Sequence, residues 1–159
     1  MARITPSTAN LQPLKYKISS DIGQNRLIFP HLLWAGYLKE WPGPGEGERP
    51  SAYVVILRDT RISKAETCDH GIAAQTILLG AVERGLGGCI IGNIDRDGLA
   101  GAMNIAGHFE ILAVLALGKP VEKVLLEPVG TDGDMKYWRD TDGVHHVPKR
   151  SLEEIIVKG

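Results

Sequence analysis

The pattern of apolar and polar positions along the chain predicts four strands. Leu14–Ser19 alternates apolar and polar side chains, which is typical of a half-buried strand. The apolar runs Ala52–Leu57, Cys89–Ile91 and Phe109–Leu117 are short enough to be buried core strands. Together these segments predict a sheet at the centre of the protein.

The pattern also predicts a central helix from about Ala65 to Leu86. Apolar residues cover nearly its whole circumference, so we expect this helix to be buried on several sides, by its own subunit or by a partner. Gly85 supplies the left-handed residue that favours the end of a helix.

Capping residues predict three shorter helices. An aspartate accepts hydrogen bonds from the free amides of a first turn, and a serine with a glutamate three residues later forms a capping box. These signals predict helices from Asp21 to about Leu33 with an end or bend at Pro30, from Asp95 or Asp97 to about Asn104, and after Ser151, where Glu154 completes the box.

The order of these elements predicts the fold class. Strands and helices follow one another along the chain, with a small helical tail, which indicates an α+β fold built as an α/β sandwich. We expect a mixed central sheet flanked by helices. Because no linker divides the chain, residues 1–159 are predicted to form a single domain.

Composition narrows the range of partners. The chain has 159 residues, 43% of them hydrophobic, and a formal net charge of −1. Nothing in this balance favours nucleic acid or an anionic membrane as a partner. The sequence lacks an apolar run long enough to cross a bilayer and the order typical of a signal peptide. The two cysteines do not make a disulfide framework, and a cytoplasmic location is the default expectation.

Several familiar site patterns are excluded. The glycines of Gly85–Gly88 have the wrong spacing and follow a helix instead of a strand, so they are not a dinucleotide-binding fingerprint. Cys68, His70, His145 and His146 lack the paired spacing of a zinc site. We expect buried thiols and exposed imidazoles there. No cysteine has a base placed beside it by the sequence, so no catalytic side chain is predicted.

Two polar segments leave alternatives open. The segment Pro6–Pro13 places hydroxyls and side-chain amides between stiffening prolines, which suits either an ordinary turn or a ligand-binding loop. Lys149 and Arg150 precede a predicted helix. They are either solvated surface cations or ligands of a phosphate.

These segments resemble the motifs of one family. Pro6, Ser7, Asn10, Gln12 and Pro13 follow the P-S-x-x-N-x-Q-P signature of the nitroreductases. The central helix, the glycines and strand after it, Ala116–Pro120 and the Lys149–Arg150 pair are also similar to that family in order and spacing. The resemblance covers essentially the whole chain.

The resemblance implies a cofactor, partners and residue roles. It implies a homodimer with FMN at the subunit interface, which takes hydride from NAD(P)H at flavin N5 and reduces a small electron-poor acceptor such as a nitroaromatic compound or a quinone. Flavin contacts would come from three places: Ser7, Thr8, Asn10 and Gln12, offered by the partner subunit to the ring or ribityl chain; Ile90, Ile91 and Gly92 along the ring; and Lys149 and Arg150 at the phosphate.

The sequence departs from the family pattern at its start. Family members carry a helix and a basic segment before the P-S-x-x-N loop, and here that loop begins at Pro6. We therefore expect an N-terminally short member of the family, which binds the flavin phosphate more weakly. The alternative hypothesis is a degenerate nitroreductase-like dimer that binds flavin weakly or not at all and catalyses nothing. Trp34, Tyr37 and Trp41 are candidates for shaping substrate choice or for pinning a long loop.

Overall fold

A computed structural model describes residues 1–157 of the chain. The chain divides into two compact units, which we call the core unit (residues 1–34 and 43–120) and the tail unit (residues 35–42 and 121 onward). The prediction of a single domain over residues 1–159 stays a prediction, and its last two residues lie outside the described residues. Within residues 1–157, no helix has the length and apolarity needed to span a bilayer.

The core unit contains four strands and three α-helices. In chain order these are β1 (Leu14–Ser19), α1 (Ile22–Ile28), β2 (Ala52–Asp59), α2 (Asp69–Val82), β3 (Gly87–Ile91), α3 (Arg96–Ala102) and β4 (Phe109–Gly118). All four strands were predicted, as were the three helices, and the boundaries differ by a few residues.

The four strands form one sheet in the order β1-β2-β4-β3. Every neighbouring pair is antiparallel. The central sheet is therefore antiparallel throughout, whereas a mixed sheet was predicted. Leu14 pairs with Arg58, Arg58 pairs with Glu110, and Ile91 pairs with Val114. The start of β1 and the end of β3 therefore lie toward the same end of the sheet but on opposite edges.

Strand β2 lies in the middle of the core because both of its faces are covered. Tyr53, Val55 and Leu57 belong to one buried cluster, which also contains residues of α1 and α3. Val54 and Ile56 belong to a second cluster, which contains residues of α2 and packs against β1. The continuous apolar run of β2 follows directly from this sandwich of helix, sheet and helix.

Helix α2 is shorter than its apolar pattern predicted. Its first residue is Asp69 because the preceding segment is held by the sheet: Arg58 donates a 2.6 Å hydrogen bond to the carbonyl of Ala65 and a 3.1 Å bond to Glu66. It ends at Val82, a few residues before the predicted Leu86, and Gly85 takes the expected left-handed φ of 70° just beyond it.

Helix α2 is not buried all round within the chain. Ala73, Ala74 and Ala81 are buried, whereas Leu79 is 59% exposed and Val82 is 63% exposed. One face of the helix therefore packs on the sheet, and the other presents large apolar side chains that residues 1–157 leave exposed.

Helices α1 and α3 begin where their caps predicted. Asp21 accepts a 2.9 Å hydrogen bond from the amide of Gln24, and Asp95 accepts a 3.1 Å bond from the amide of Gly98. After α1 the chain tightens into a 3-10 turn over Phe29–His31, because Pro30 cannot donate a helical hydrogen bond.

The tail unit contains a small mixed sheet. Its elements are β5 (Val124–Pro128), β6 (Trp138–Arg139), β7 (His145–Lys149) and α4 (Leu152–Ile155). Strand β7 pairs in parallel with β5 and antiparallel with β6. The capping box of Ser151 and Glu154 is present as predicted. Strands β5 and β7 were not predicted, because each contains a proline and β7 also contains two adjacent histidines.

Candidate functional site

The loop before β1 is fixed to the first residue of α2. The hydroxyl of Ser7 donates a 2.6 Å hydrogen bond to Asp69 Oδ2, and the hydroxyl of Thr8 donates a 2.9 Å bond to Asp69 Oδ1. The amide of Thr8 also donates to Asp69 Oδ1 at 3.1 Å. One carboxylate thus holds two residues of the loop that the sequence assigned to flavin binding.

Asp69 is a buried carboxylate that stays charged. Only 2% of its surface is exposed. The hydrogen bond from Ser7 is the largest influence that lowers the pKa of Asp69 to about 2, with further bonds from Thr8 acting in the same direction and burial opposing them. A negative charge at the start of α2 is also favoured by the helix dipole.

The tip of the loop has a left-handed backbone conformation, which residues other than glycine rarely adopt. Ala9, Asn10 and Gln12 have φ values of 49°, 54° and 51°. Such left-handed residues store strain unless their surroundings hold them in place, and they cluster at functional sites. Here the bonds to Asp69 and a 2.9 Å bond from the amide of Gln12 to Ser7 Oγ supply that support.

Asn10 and Gln12 are exposed and form one polar group. The side-chain amide of Gln12 donates a 3.1 Å hydrogen bond to Asn10 Oδ1 and a 3.2 Å bond to the Asn10 carbonyl. Because both residues are exposed, the outer face of this pair faces solvent. The loop therefore combines an anchored base, formed by Ser7 and Thr8, with an accessible tip.

A cleft of about 730 Å³ lies beside the loop in the core unit. Two predicted flavin residues, Ser7 and Gln12, line it. Its wall combines apolar side chains with cations, and among residues 1–157 no acidic side chain lines it. The residues that decide this character are Tyr16, Val54 and Ile77 on the apolar side and Arg3, Lys15 and Arg84 on the charged side.

The end of β3 presents backbone and one apolar side chain. Strand β3 is an edge strand and not the buried core strand that its sequence predicted, since Ile90 is 46% exposed. Ile91 points into the core, so only its backbone is available to a ligand. A Cβ atom placed on Gly92 would meet nothing within 4 Å, which leaves the backbone there open to close approach.

Lys149 and Arg150 lie in the tail unit, at the end of β7 and just before α4. Both are exposed. Arg150 forms a 3.2 Å ion pair with Glu154, and the capping box uses the amides of Ser151 and Glu154. Cationic charge is therefore present at the predicted position, but Arg150 and two of the nearby amides already have partners within the chain.

The cysteines and histidines are arranged differently from the expectation. Cys68 and Cys89 are both exposed, so the prediction of buried thiols is wrong. His146 is buried, so the prediction of exposed imidazoles is wrong for this residue. Its protonated ring would donate from Nδ1 to Glu127 at 2.5 Å and from Nε2 to Asp140 at 3.1 Å. Across residues 1–157, no group of these residue types could hold a metal ion.

Sequence reasoning missed the role of Asp69. The residue was part of the motif that carries the resemblance, but its contacts reach 61 and 62 residues back along the chain. No periodic pattern encodes such a contact. The available signal was an aspartate at the start of an apolar helix, paired with a hydroxyl-rich loop elsewhere.

Solved structures with the same fold are numerous. A nitroreductase family protein from Streptococcus pneumoniae TIGR4 has a TM-score of 0.67 at 16% identity, with 99% of this chain and 84% of that chain covered. A nitroreductase family protein from Clostridium difficile 630 has a TM-score of 0.60 at 15% identity, covering 76% and 67%. An FMN-dependent nitroreductase from Clostridium difficile R20291 has a TM-score of 0.58 at 22% identity, covering 77% and 72%. A comparison with curated proteins gives no match.

These likenesses define the class of fold, which is the predicted α+β class. The sequence itself goes further, because residues 1–119 match the nitroreductase family. The chain belongs to that family, as its motifs suggested.

Proposed function

We propose that this protein is an FMN-dependent oxidoreductase that takes hydride from NAD(P)H and reduces a small electron-poor acceptor, such as a nitroaromatic compound or a quinone. The match of residues 1–119 to the nitroreductase family carries this proposal. A relative of the same fold is described as FMN-dependent. When bound, FMN would supply the hydride-accepting atom, and the protein would position and tune it.

The residues present suit such a cofactor. A flavin mononucleotide combines a flat ring, a polar ring edge and an anionic phosphate. The cleft beside the loop offers an apolar wall, the polar residues Ser7 and Gln12, and cations without an acidic lining residue within the described chain. This combination of surfaces supports flavin binding in the core unit.

Each part of the proposed site has a separate task. Asp69 holds Ser7 and Thr8, so that Asn10 and Gln12 present donors and acceptors from a fixed backbone. Gly92 permits close approach of the backbone, whose amide can donate a hydrogen bond. Lys149 and Arg150 are proposed to neutralise the phosphate. None of these tasks requires a side chain to act as an acid, base or nucleophile.

The sheet geometry supports a homodimer. The loop and the end of β3 lie on opposite edges of the sheet, with β2 and β4 between them. At about 4.8 Å per strand spacing, the two edge strands are roughly 14 Å apart. Two copies of the chain can bring the loop of one copy to β3 of the other. The exposed apolar residues Leu79, Val82 and Ile90 suit burial in that interface.

The visible absorbance spectrum tests the proposal. The purified protein is mixed with FMN and desalted, and the retained flavin spectrum is recorded before and after anaerobic addition of NADH. We expect a retained flavin that bleaches with NADH. A protein that loses FMN on desalting supports instead the degenerate dimer. The predicted cytoplasmic location is not addressed by this experiment and stays a prediction.

A further inference from the structure

Strand β5 forms one edge of the small sheet in the tail unit, whose strand order is β5-β7-β6. Its central residues are apolar and exposed: the exposed fraction is 51% for Val124, 45% for Leu125 and 67% for Leu126. The opposite edge strand, β6, has only two residues. An uncharged edge strand is a template for pairing with another strand, because its outer backbone groups are available.

The hydrogen bonds at the two ends of β5 show which of its backbone groups point outward. The amide of His145 donates to the carbonyl of Lys123 at 2.8 Å, and the amide of Val129 donates to the last residue of β7 at 3.1 Å. Backbone groups alternate in direction along a strand, so every second residue from Lys123 onward is bonded to β7. The amides and carbonyls of Val124 and Leu126 therefore point away from the sheet.

A second copy of the chain can add to this edge as an antiparallel strand. When Leu125 of one copy lies opposite Leu125 of the other, Val124 of each copy lies opposite Leu126 of the other. These two residues can then exchange both of their outward hydrogen bonds, as a hydrogen-bonded pair does in an antiparallel ladder. The two-fold axis repeats the exchange, so both outward residues of each copy are fully bonded.

Charge complementarity favours this register. With Leu125 on the two-fold axis, Lys123 of each copy lies opposite Glu127 of the other, and opposite charges in such a pair stabilise a sheet. Moving the axis to Val124 would place Lys123 opposite Leu125. Moving it to Leu126 would place Glu127 opposite Leu125. Neither of these shifts pairs opposite charges.

The carboxylate of Glu127 is held in position for this contact. It lies 2.5 Å from Nδ1 of His146 and keeps 33% of its side chain exposed. Asp140 lies 3.1 Å from Nε2 of the same ring. Two carboxylates thus share one imidazole, and the cluster keeps a net negative charge even when the ring is protonated. An exposed lysine of a second copy would meet that charge.

We propose that β5 is a self-association surface, at which two copies of the chain pair their tail sheets with Leu125 on the two-fold axis. Leu125 covers its own counterpart on one face of the sheet, and Val124 and Leu126 cover each other on the opposite face. Each copy contributes one short strand, and interfaces below about 1,200 Å² are typical of weak, reversible association. The contact uses neither the loop before β1 nor the end of β3, so it does not rest on the proposed function.

A disulfide at the axis tests the pairing on the full chain. Directly opposite residues of a non-hydrogen-bonded antiparallel pair have Cα atoms about 4.5 Å apart, which a disulfide can span. Leu125→Cys should therefore form a linked dimer on mild oxidation, with the joined peptides identified by mass spectrometry. Leu126→Cys is the matched control and should link at least about tenfold more slowly, because Val124 lies opposite it.

The wild type is oxidised in parallel, since Cys68 and Cys89 are exposed and supply a background of linkage. Linkage at position 125 that exceeds both this background and the Leu126→Cys rate supports the proposal. Equal rates for the two variants, faster linkage at position 126, or no linkage above the background overturns it.

Sedimentation equilibrium of a charge variant gives an independent test. Lys123→Glu places like charges opposite each other on both sides of the axis, so we expect the dissociation constant of this association to rise by about tenfold. Lys64→Glu makes the same change at an exposed position of the core unit and should have no effect. Equal effects of the two variants, or a wild-type mass that does not depend on concentration, overturn the proposal. A homodimer formed through the core unit would persist in Lys123→Glu, so the two associations are distinguishable.

Discussion

Asp69 Oδ2 accepts a 2.6 Å hydrogen bond from the hydroxyl of Ser7, and this contact joins the loop before β1 to the start of α2. The same carboxylate also receives both the hydroxyl and the amide of Thr8. The strained tip of the loop depends on this anchor, because Ala9, Asn10 and Gln12 all have left-handed backbones. The binding loop and the central helix therefore behave as one structural element.

Replacing the anchor tests this relationship. Asp69→Asn keeps the size of the side chain but removes its charge and one acceptor, so we expect the free energy of unfolding to fall by about 2 kcal/mol. FMN retention should fall as well, because the loop loses its fixed backbone. Asp97→Asn changes an exposed aspartate in the first turn of α3 and serves as the control in chemical denaturation. Equal midpoints for the two variants would contradict the role of Asp69.

Acid should weaken the same anchor. Folding lowers the pKa of Asp69 to about 2, so the unfolded chain binds this proton at a higher pH than the folded chain does. The contribution of ionised Asp69 to the free energy of unfolding is therefore complete above about pH 4, and it is lost as the pH falls toward the pKa of the folded state. Asp59, whose pKa is also lowered to about 2 by its hydrogen bond from Arg61, acts in the same direction. Denaturation at a series of pH values should show a smaller acid dependence in Asp69→Asn than in the wild type.

Gly92 offers a test of the proposed ring position. A Cβ atom there meets nothing within 4 Å in the chain, so Gly92→Ala should leave Tm nearly unchanged. If the flavin ring lies against this backbone, the added methyl group should weaken FMN binding or slow bleaching by NADH by about tenfold. Gly107→Ala adds a methyl group at another open position and is the matched control. Identical flavin titrations for the two variants would argue against a ring at Gly92.

Lys149 and Arg150 can be tested together. The double change to glutamine removes the proposed phosphate ligands, and each lost charge-assisted contact weakens binding by about tenfold or more. Riboflavin lacks the phosphate, so its affinity should not change. Lys123→Gln with Lys136→Gln makes the same change of charge at exposed positions of the tail unit. We expect fluorescence titration with FMN to separate these two double variants, and equal affinities would exclude the phosphate role.

His146 should make the stability of the tail unit decrease at alkaline pH. Hydrogen bonds to Glu127 first and Asp140 second raise its pKa above the usual 6.5. Because the pKa of His146 is higher in the folded state, its protonated ring stabilises the fold fully below the pKa of the unfolded chain. This stabilisation is lost as the pH rises through the pKa of the folded state. An NMR titration of the His146 ring should give a pKa above that of an unfolded peptide, and His146→Gln should flatten the pH dependence of amide protection in β7. A ring that titrates below 6.5 would contradict this prediction.

The sequence predicted the sheet better than the ends of its helices. Period-two patterns and apolar runs depend on local residues, and β1, β2 and β4 follow them closely. The start of α2 could not be predicted, because Arg58, which lies in β2, holds the carbonyl of Ala65 by a side-chain hydrogen bond that no helical pattern encodes. Likewise β3 has a core-like composition, and only the strand order shows that it lies at an edge.

The sequence predicted the residue types of the candidate site but not the contacts that hold them in place. The hydroxyls and amides of the loop were visible in Ser7, Thr8, Asn10 and Gln12, but their division into an anchored base and an exposed tip depends on Asp69.

The edge position of β3 has a practical consequence for anyone who handles the protein. The other edge strand, β1, carries Lys15 and Lys17, and lysines on an edge discourage the sheet of one molecule from adding to that of another. The sequence Gly87–Ile91 carries no charge and exposes Ile90. Concentrated or partly unfolded material should therefore aggregate through this strand. Replacing Ile90 with lysine is the change we would choose to improve solubility, and its effect on flavin binding would show whether the same strand serves both purposes.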